Sequence, residues 1–158
     1  LSKEPEPIQE LAVNIYHSGL GKYLHMATSY FVLMRELPYV KDHLHAPMPE
    51  VGDCKCLVFY PFIKAREWYL MSFDARQGMM NEHIRIGKQY DDISQLLLYS
   101  FGLQNQEFVV VYETDELTRF SDLVNELRDT EARRYTLRDT PLHTAIYHPA
   151  EETLALWK

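Results

Sequence analysis

ISQLLLYSFGLQNQEFVVVYE, residues 93 to 113, reads as two strands around a turn: ISQLLLYSF and EFVVVYE are leucine-, valine- and aromatic-rich runs flanking GLQNQ. Upstream, CKCLVFYPF at 54–62 reads as another strand, and a helix is expected from about Asp74 to Gln89. Downstream, DELTRFSDLVNELRDTEARR, residues 115–134, is a helix with Leu117, Phe120, Val124 and Leu127 on one face. Its acids stand at the start and its arginines at the end, as the helix dipole favours. A last strand around HTAIYH leads into a short terminal helix. The order βαββαβ is that of a ferredoxin-like unit, so the expected class is α+β, an antiparallel sheet with helices on one face.

Residues 54–158 hold this complete unit, and residues 1–53 hold less. EPEPIQELAVNIYHSGLGKYL carries Ile8, Leu11, Ala12 and Ile15 on one face and reaches Gly19 and Gly21, which suits an amphipathic helix. HMATSYFVLMREL then reads as a strand, and LPYVKDHLHAPMPEVGD, with three prolines, as a connection. One helix and one strand make a truncated or degenerate copy of the same unit. The open face of the sheet is expected to be buried sheet against sheet, forming an α+β barrel within a chain or between chains.

The balance of 16 Lys+Arg against 23 Asp+Glu leaves a net charge of -7 with no basic tract, which argues against nucleic acid and anionic membrane as partners. Eleven Tyr, seven Phe and two Trp suit a large planar ligand or a large subunit interface. Cys54 and Cys56 lie two apart on a strand, face the same side and read as reduced packing residues. No apolar run is long enough to span a bilayer and no signal peptide is read before the first helix, so a cytoplasmic location is the expectation. His43 and His45 have no third ligand near them and read as loop residues.

MMNEHIRIGKQY, residues 79 to 90, puts an imidazole into an apolar stripe. His83 has Met79 and Met80 one turn before it and Ile86 and Gly87 one turn after. Two readings fit. It is a core histidine bonded to a carbonyl or carboxylate, or an axial ligand whose neutral ring offers a lone pair to iron beside a small, soft wall that accepts a flat macrocycle.

Several stretches together resemble the chlorite dismutase family, which includes the coproheme decarboxylases. SGLGKYLHMATSYFVLMRELPYV looks like the family's first-half segment. FYPFIKAREWYLM, RQGMMNEHIRIGKQY and YSFGLQNQEFVVVYETDELTRFSDLVNELRDTEARRY follow in the family's order, from about Ser18 to about Pro141. The resemblance implies ferredoxin-like halves forming a dimeric α+β barrel, haem b or coproheme in the C-terminal half, and a homopentamer. It also implies that His83 is the proximal iron ligand, held by an acidic partner that the sequence does not identify.

On the distal side, chlorite-degrading members resemble one another in an arginine seven residues before the glycine of the following turn. Counted back from Gly102, that position is Gln95, a neutral residue that looks like the one in coproheme decarboxylases. Tyr60 in FYPFIK resembles the decarboxylases' reactive tyrosine. There the oxidising equivalent of hydrogen peroxide reaches the phenol, and the tyrosyl radical takes a hydrogen from a propionate before carbon dioxide leaves. Lys64 is expected on a propionate, Trp68 in the wall, and Arg128 on a carboxylate, by resemblance. Ile84 stands where the decarboxylases generally have glycine, and the connection from Lys64 to Trp68 is short, as in chlorite-degrading members. The function implied is peroxide-dependent decarboxylation of iron coproporphyrin. The rivals are a chlorite dismutase or haem peroxidase-like enzyme, and a haem-binding or haem-transfer protein without turnover.

Overall fold

The structure is a computed structural model that describes residues 2–26, 28–40 and 54–155. His43 and His45 lie outside the described residues. The chain divides into two compact units, Leu1–Tyr30 and Phe31–Lys158.

In the first unit, helix α1 spans Glu6–His17. A proline in its first turn is tolerated because the amides there have no intrahelical acceptor. The Ser18 amide closes the helix on the Asn14 carbonyl at 3.1 Å, and a short 3-10 turn follows at Gly21–Tyr23. Gly21 runs so close to the Tyr16 carbonyl that a side chain there would collide with it.

The second unit contains the βαββαβ order. Strand β1 spans Cys56–Lys64, α2 Arg66–Leu70, α3 Phe73–Gly87, β2 Ser94–Tyr99, β3 Phe108–Thr114, α4 Leu117–Arg128, β4 Thr136–Arg138, β5 His143–Ile146 and α5 Ala150–Ala155. The sheet runs β2-β3-β1-β4, with β5 also on β1, and every pairing is antiparallel. The hairpin expected over residues 93–113 is present, and Gly102 turns it at φ 72°, a left-handed conformation that costs glycine no Cβ clash. The core gathers Val58 of β1, Val110 and Tyr112 of β3, Tyr90 and Ile93 before β2, and Phe120 and Leu123 of α4. Leu117, grouped with that apolar face in the sequence, is 39% exposed because it occupies the first turn, at the edge of the contact.

Two segments differ from the sequence-based expectation because side chains take over backbone bonds, and one short strand is added to it. Among its described residues HMATSYFVLMREL forms no strand. Only Leu33 pairs, exchanging bonds of 2.8 and 2.9 Å with Tyr99. Next to it the Phe31 amide donates to Gln104 Oε1 at 2.6 Å and its carbonyl accepts from Ser100 Oγ at 2.7 Å, so turn side chains replace the ladder. The helix expected over 115–134 ends at Arg128, where the Thr130 hydroxyl donates to the Leu127 carbonyl at 2.7 Å, and Glu131–Tyr135 continues as a 3-10 turn. The last strand expected around HTAIYH is present as β5, paired with Cys56–Phe59, and an unexpected short strand, β4, precedes it on Ile63–Lys64, with Pro141, which has no amide proton to give, between them. Cys54 is half-buried and Cys56 buried. No helix among the described residues is long and apolar enough to cross a membrane.

Candidate functional site

A cavity of about 680 Å³ opens between the sheet and its helices in the second unit, within the size range of small-molecule and cofactor sites. Tyr60, Lys64, Trp68, His83, Gln95 and Arg128, the six residues singled out in the sequence, all line it.

Sheet register brings the distal residues together. Alternation puts Tyr60, Phe62 and Lys64 of β1 on the same face as Gln95, Leu97 and Tyr99 of β2 and Phe108, Val110 and Tyr112 of β3, and all nine line the cavity. Gln95 lies directly opposite Tyr112, and Tyr60 opposite Val110, so Tyr112 is the diagonal neighbour of Tyr60. The rings of Tyr60 and Tyr112 stack with centroids 6.1 Å apart, and their hydroxyls are hydrogen-bonded. Burial pushes the Tyr60 phenol up. The Tyr112 hydroxyl opposes this, the Asp139 carboxylate adds to it, and Arg128 and Arg133 pull the other way. Tyr112, only 3% exposed, is pushed up further by burial and by Tyr60. Both phenols are therefore neutral hydrogen donors at ordinary pH.

Helix α3 supplies the facing wall. The Ser72 hydroxyl accepts the Ala75 amide to cap it, and the stripe Arg76, Met80, His83 and Gly87, at helical spacing, lines the cavity. Burial, and then the nearby Lys64 charge, lower the His83 pKa to about 4 against the weaker pull of Glu82. The ring is therefore neutral at pH 7 and keeps a lone pair. Its Nδ1 is buried with no hydrogen-bond partner among the described residues, so none of their carboxylates holds that nitrogen. Such an orphan costs on the order of 1–3 kcal/mol unless something else is bound there.

The cations are placed differently from one another. Lys64 Nζ donates to the Ala132 carbonyl at 3.1 Å and to Thr136 Oγ1 at 3.3 Å, and sits 4.5 Å from the centre of the Trp68 ring. Burial, then Arg133, bring its pKa down to about 8, with Glu107 opposing. An anion in the cavity would relieve that desolvation. Trp68 is 3% exposed, so it is core and cavity wall at once, packed edge-on to Tyr39 with ring centroids 6.2 Å apart. Arg128 reaches Asp139 at 3.9 Å, while Arg133 holds the same carboxylate at 3.0 Å.

Arg76, Tyr112, Arg133 and Asp139 also line the cavity, and the sequence reading did not name them. Arg76 had a signal: it lies seven residues before His83 on the same helical stripe. Tyr112 had a weaker one in the alternation of β3. Arg133 and Asp139 had none, because they follow the end of α4. Together the wall offers a neutral imidazole on one element, a neutral amide and paired phenols on another, an apolar floor and several cations. That suits a large, flat, apolar ligand bearing carboxylates and a metal that takes nitrogen.

The profile of the family described as Chlorite dismutase matches residues 1–147. A coproheme decarboxylase of Mycolicibacterium smegmatis is 32% identical over 140 residues, covering 87% of this chain and 60% of that protein. This chain thus spans less than two thirds of the curated relative. Among solved structures, a haem-binding protein from Thermus thermophilus superposes with a TM-score of 0.83 at 25% identity, covering 97% of this chain and 67% of the other. The chlorite dismutase from Candidatus Nitrospira defluvii in complex with imidazole has a TM-score of 0.82 at 23% identity, over 99% and 69%, and speaks for the fold alone.

Proposed function

This chain belongs to the chlorite dismutase family, and from that premise we propose that it binds an iron tetrapyrrole in the cavity and decarboxylates iron coproporphyrin to haem with hydrogen peroxide. The observation that carries the reading is the convergence of His83, Tyr60, Lys64, Trp68, Gln95 and Arg128 on one cavity. His83 would hold the iron, since its ring is neutral and its Nδ1 has no partner among the described residues. Lys64 and Arg128 would hold carboxylates, and Trp68 would support the ring. A bound iron tetrapyrrole supplies the redox chemistry that these side chains lack, the reduction of peroxide.

The remaining work falls to the protein. Per propionate, a carboxylate side chain, one peroxide and one proton give a vinyl group, carbon dioxide and two waters, a two-electron oxidation of the side chain. Tyr60 would pass a hydrogen atom's worth of that oxidation, giving up its phenolic proton and an electron together. Burial favours this route over prior ionisation, because it holds the phenol neutral. Gln95 is neutral and offers amide donors to a peroxide oxygen without the fixed charge that would retain an anion. The proposal extends to assembly: a homopentamer, for which light scattering of the protein should give about five times the protomer mass.

Anaerobic loading with coproheme followed by peroxide, with mass spectrometry of the porphyrin, tests the reaction. The expected result is stepwise conversion of propionates to vinyls. Unchanged coproheme, still bound, would leave the chain a haem-binding protein without turnover. Gln95→Arg should raise chlorite breakdown from near nothing, on the order of tenfold or more, by supplying a cation beside the iron. Chloride release from chlorite is the measurement, and a Gln95→Lys variant checks whether charge alone suffices.

A further inference from the structure

We infer that Arg76 is a carboxylate-binding residue of this cavity, separate from Lys64 and Arg128, and that it favours a ligand with acid groups on more than one side of its ring. The inference rests on the tetrapyrrole reading above. Arg76 lines the cavity from α3, half-buried, on the same stripe as Met80 and His83. Among the described residues its buried Nε has no hydrogen-bond partner and no carboxylate forms an ion pair with it. The contrast is with Arg133, which lines the same cavity and holds Asp139 at 3.0 Å. A guanidinium at a cavity wall with a donor unused is the geometry that an incoming carboxylate satisfies, and its planar fork matches two oxygens at once.

The surroundings point the same way. Arg76 acts electrostatically on the hydroxyls of Tyr39 and Tyr69, while Arg128 and Arg133 act on Tyr60. The cations thus serve different phenols and different parts of the wall. Tyr69 spends its hydroxyl on Glu107 at 2.6 Å, while Tyr39, whose phenol burial keeps neutral, also lines the cavity. Along the helix, the seven residues from His83 to Arg76 correspond to about 10 Å at 1.5 Å per residue. The two side chains thus leave the helix about two turns apart and reach different parts of the cavity wall, so a ligand held at His83 would have to extend along α3 to be met by Arg76.

The test measures affinity without peroxide, by absorption and by quenching of tryptophan fluorescence. The probes are ferric coproporphyrin, with four carboxylates, and ferric mesoporphyrin, which has the same ring and two. Arg76→Gln, a good helix former, should weaken coproporphyrin about tenfold and mesoporphyrin less than about twofold, so that the preference for the tetracarboxylate narrows. Arg76→Lys should recover part of it, because the charge returns without the fork. Unchanged affinity in Arg76→Gln, or equal losses for both porphyrins, would overturn the assignment while leaving the tetrapyrrole reading intact. A wild-type protein that binds neither porphyrin would overturn both.

Discussion

His83→Ala should abolish the five-coordinate ferric spectrum of the loaded protein and weaken ferric porphyrin binding by about 100-fold or more, beyond what loss of an outer-shell partner costs. Among the described residues lining the cavity, His83 is the one histidine, so no neighbour can replace it. Its ring is neutral down to a pKa of about 4, so the wild-type ligand needs no deprotonation at pH 7, and the variant loses a ready lone pair. The fold should survive. His83 makes no hydrogen bond at Nδ1 to the described residues, and alanine is the best helix former at a position inside α3. Far-UV circular dichroism and thermal unfolding should match the wild type while the Soret band does not, and added imidazole should restore the band by entering the space vacated. An unchanged band and affinity would return His83 to the core.

Tyr60→Phe should separate binding from turnover. The variant keeps the ring that stacks on Tyr112 and loses one hydroxyl, so coproheme affinity should stay within about threefold, well under 1 kcal/mol. Release of carbon dioxide should fall on the order of 100-fold or more, the scale of a positioned proton-transferring group, because phenylalanine cannot surrender a proton with its electron. A structural cost accompanies this. Tyr112, 3% exposed, loses the partner of its buried hydroxyl, which is worth about 1–3 kcal/mol of stability. The double variant Tyr60→Phe with Tyr112→Phe removes both hydroxyls and should recover much of that stability without recovering turnover. Urea unfolding and carbon dioxide measurement on the same samples give the two readouts. A Tyr60→Phe protein that decarboxylates at the wild-type rate would end the radical role.

How far the site was legible depended on the range of the signal. His83 stood out because a helix repeats its face every three to four residues, so neighbours in sequence reveal what the ring sits among. Arg76 lay on the same stripe and was readable by the same rule. Tyr60, Lys64, Gln95 and Arg128 were found by resemblance, since nothing in a single strand tells which residue across the sheet it will meet. Asp139 was not legible at all: it follows a helix end set by the Thr130 hydroxyl and lies in the interruption between two strand segments.

By itself the sequence determined the succession of β1, α3, β2, β3 and α4, the hairpin around Gly102, and the imidazole in an apolar stripe, because periods of two and of three to four residues are local properties of the backbone. Only the tertiary structure decided that HMATSYFVLMREL would pair at a single residue among those described, that Gln95 would oppose Tyr112 one diagonal step from Tyr60, and that Arg133 would find a carboxylate while the Nε of Arg76 would be buried without a partner. The physical reason is that register and burial depend on groups far apart in the chain. A strand's pattern says which side chains share a face, but pairing with another strand sets who their neighbours are. Only the closing of the helices over that face removes the water whose loss brings His83 down to a pKa of about 4.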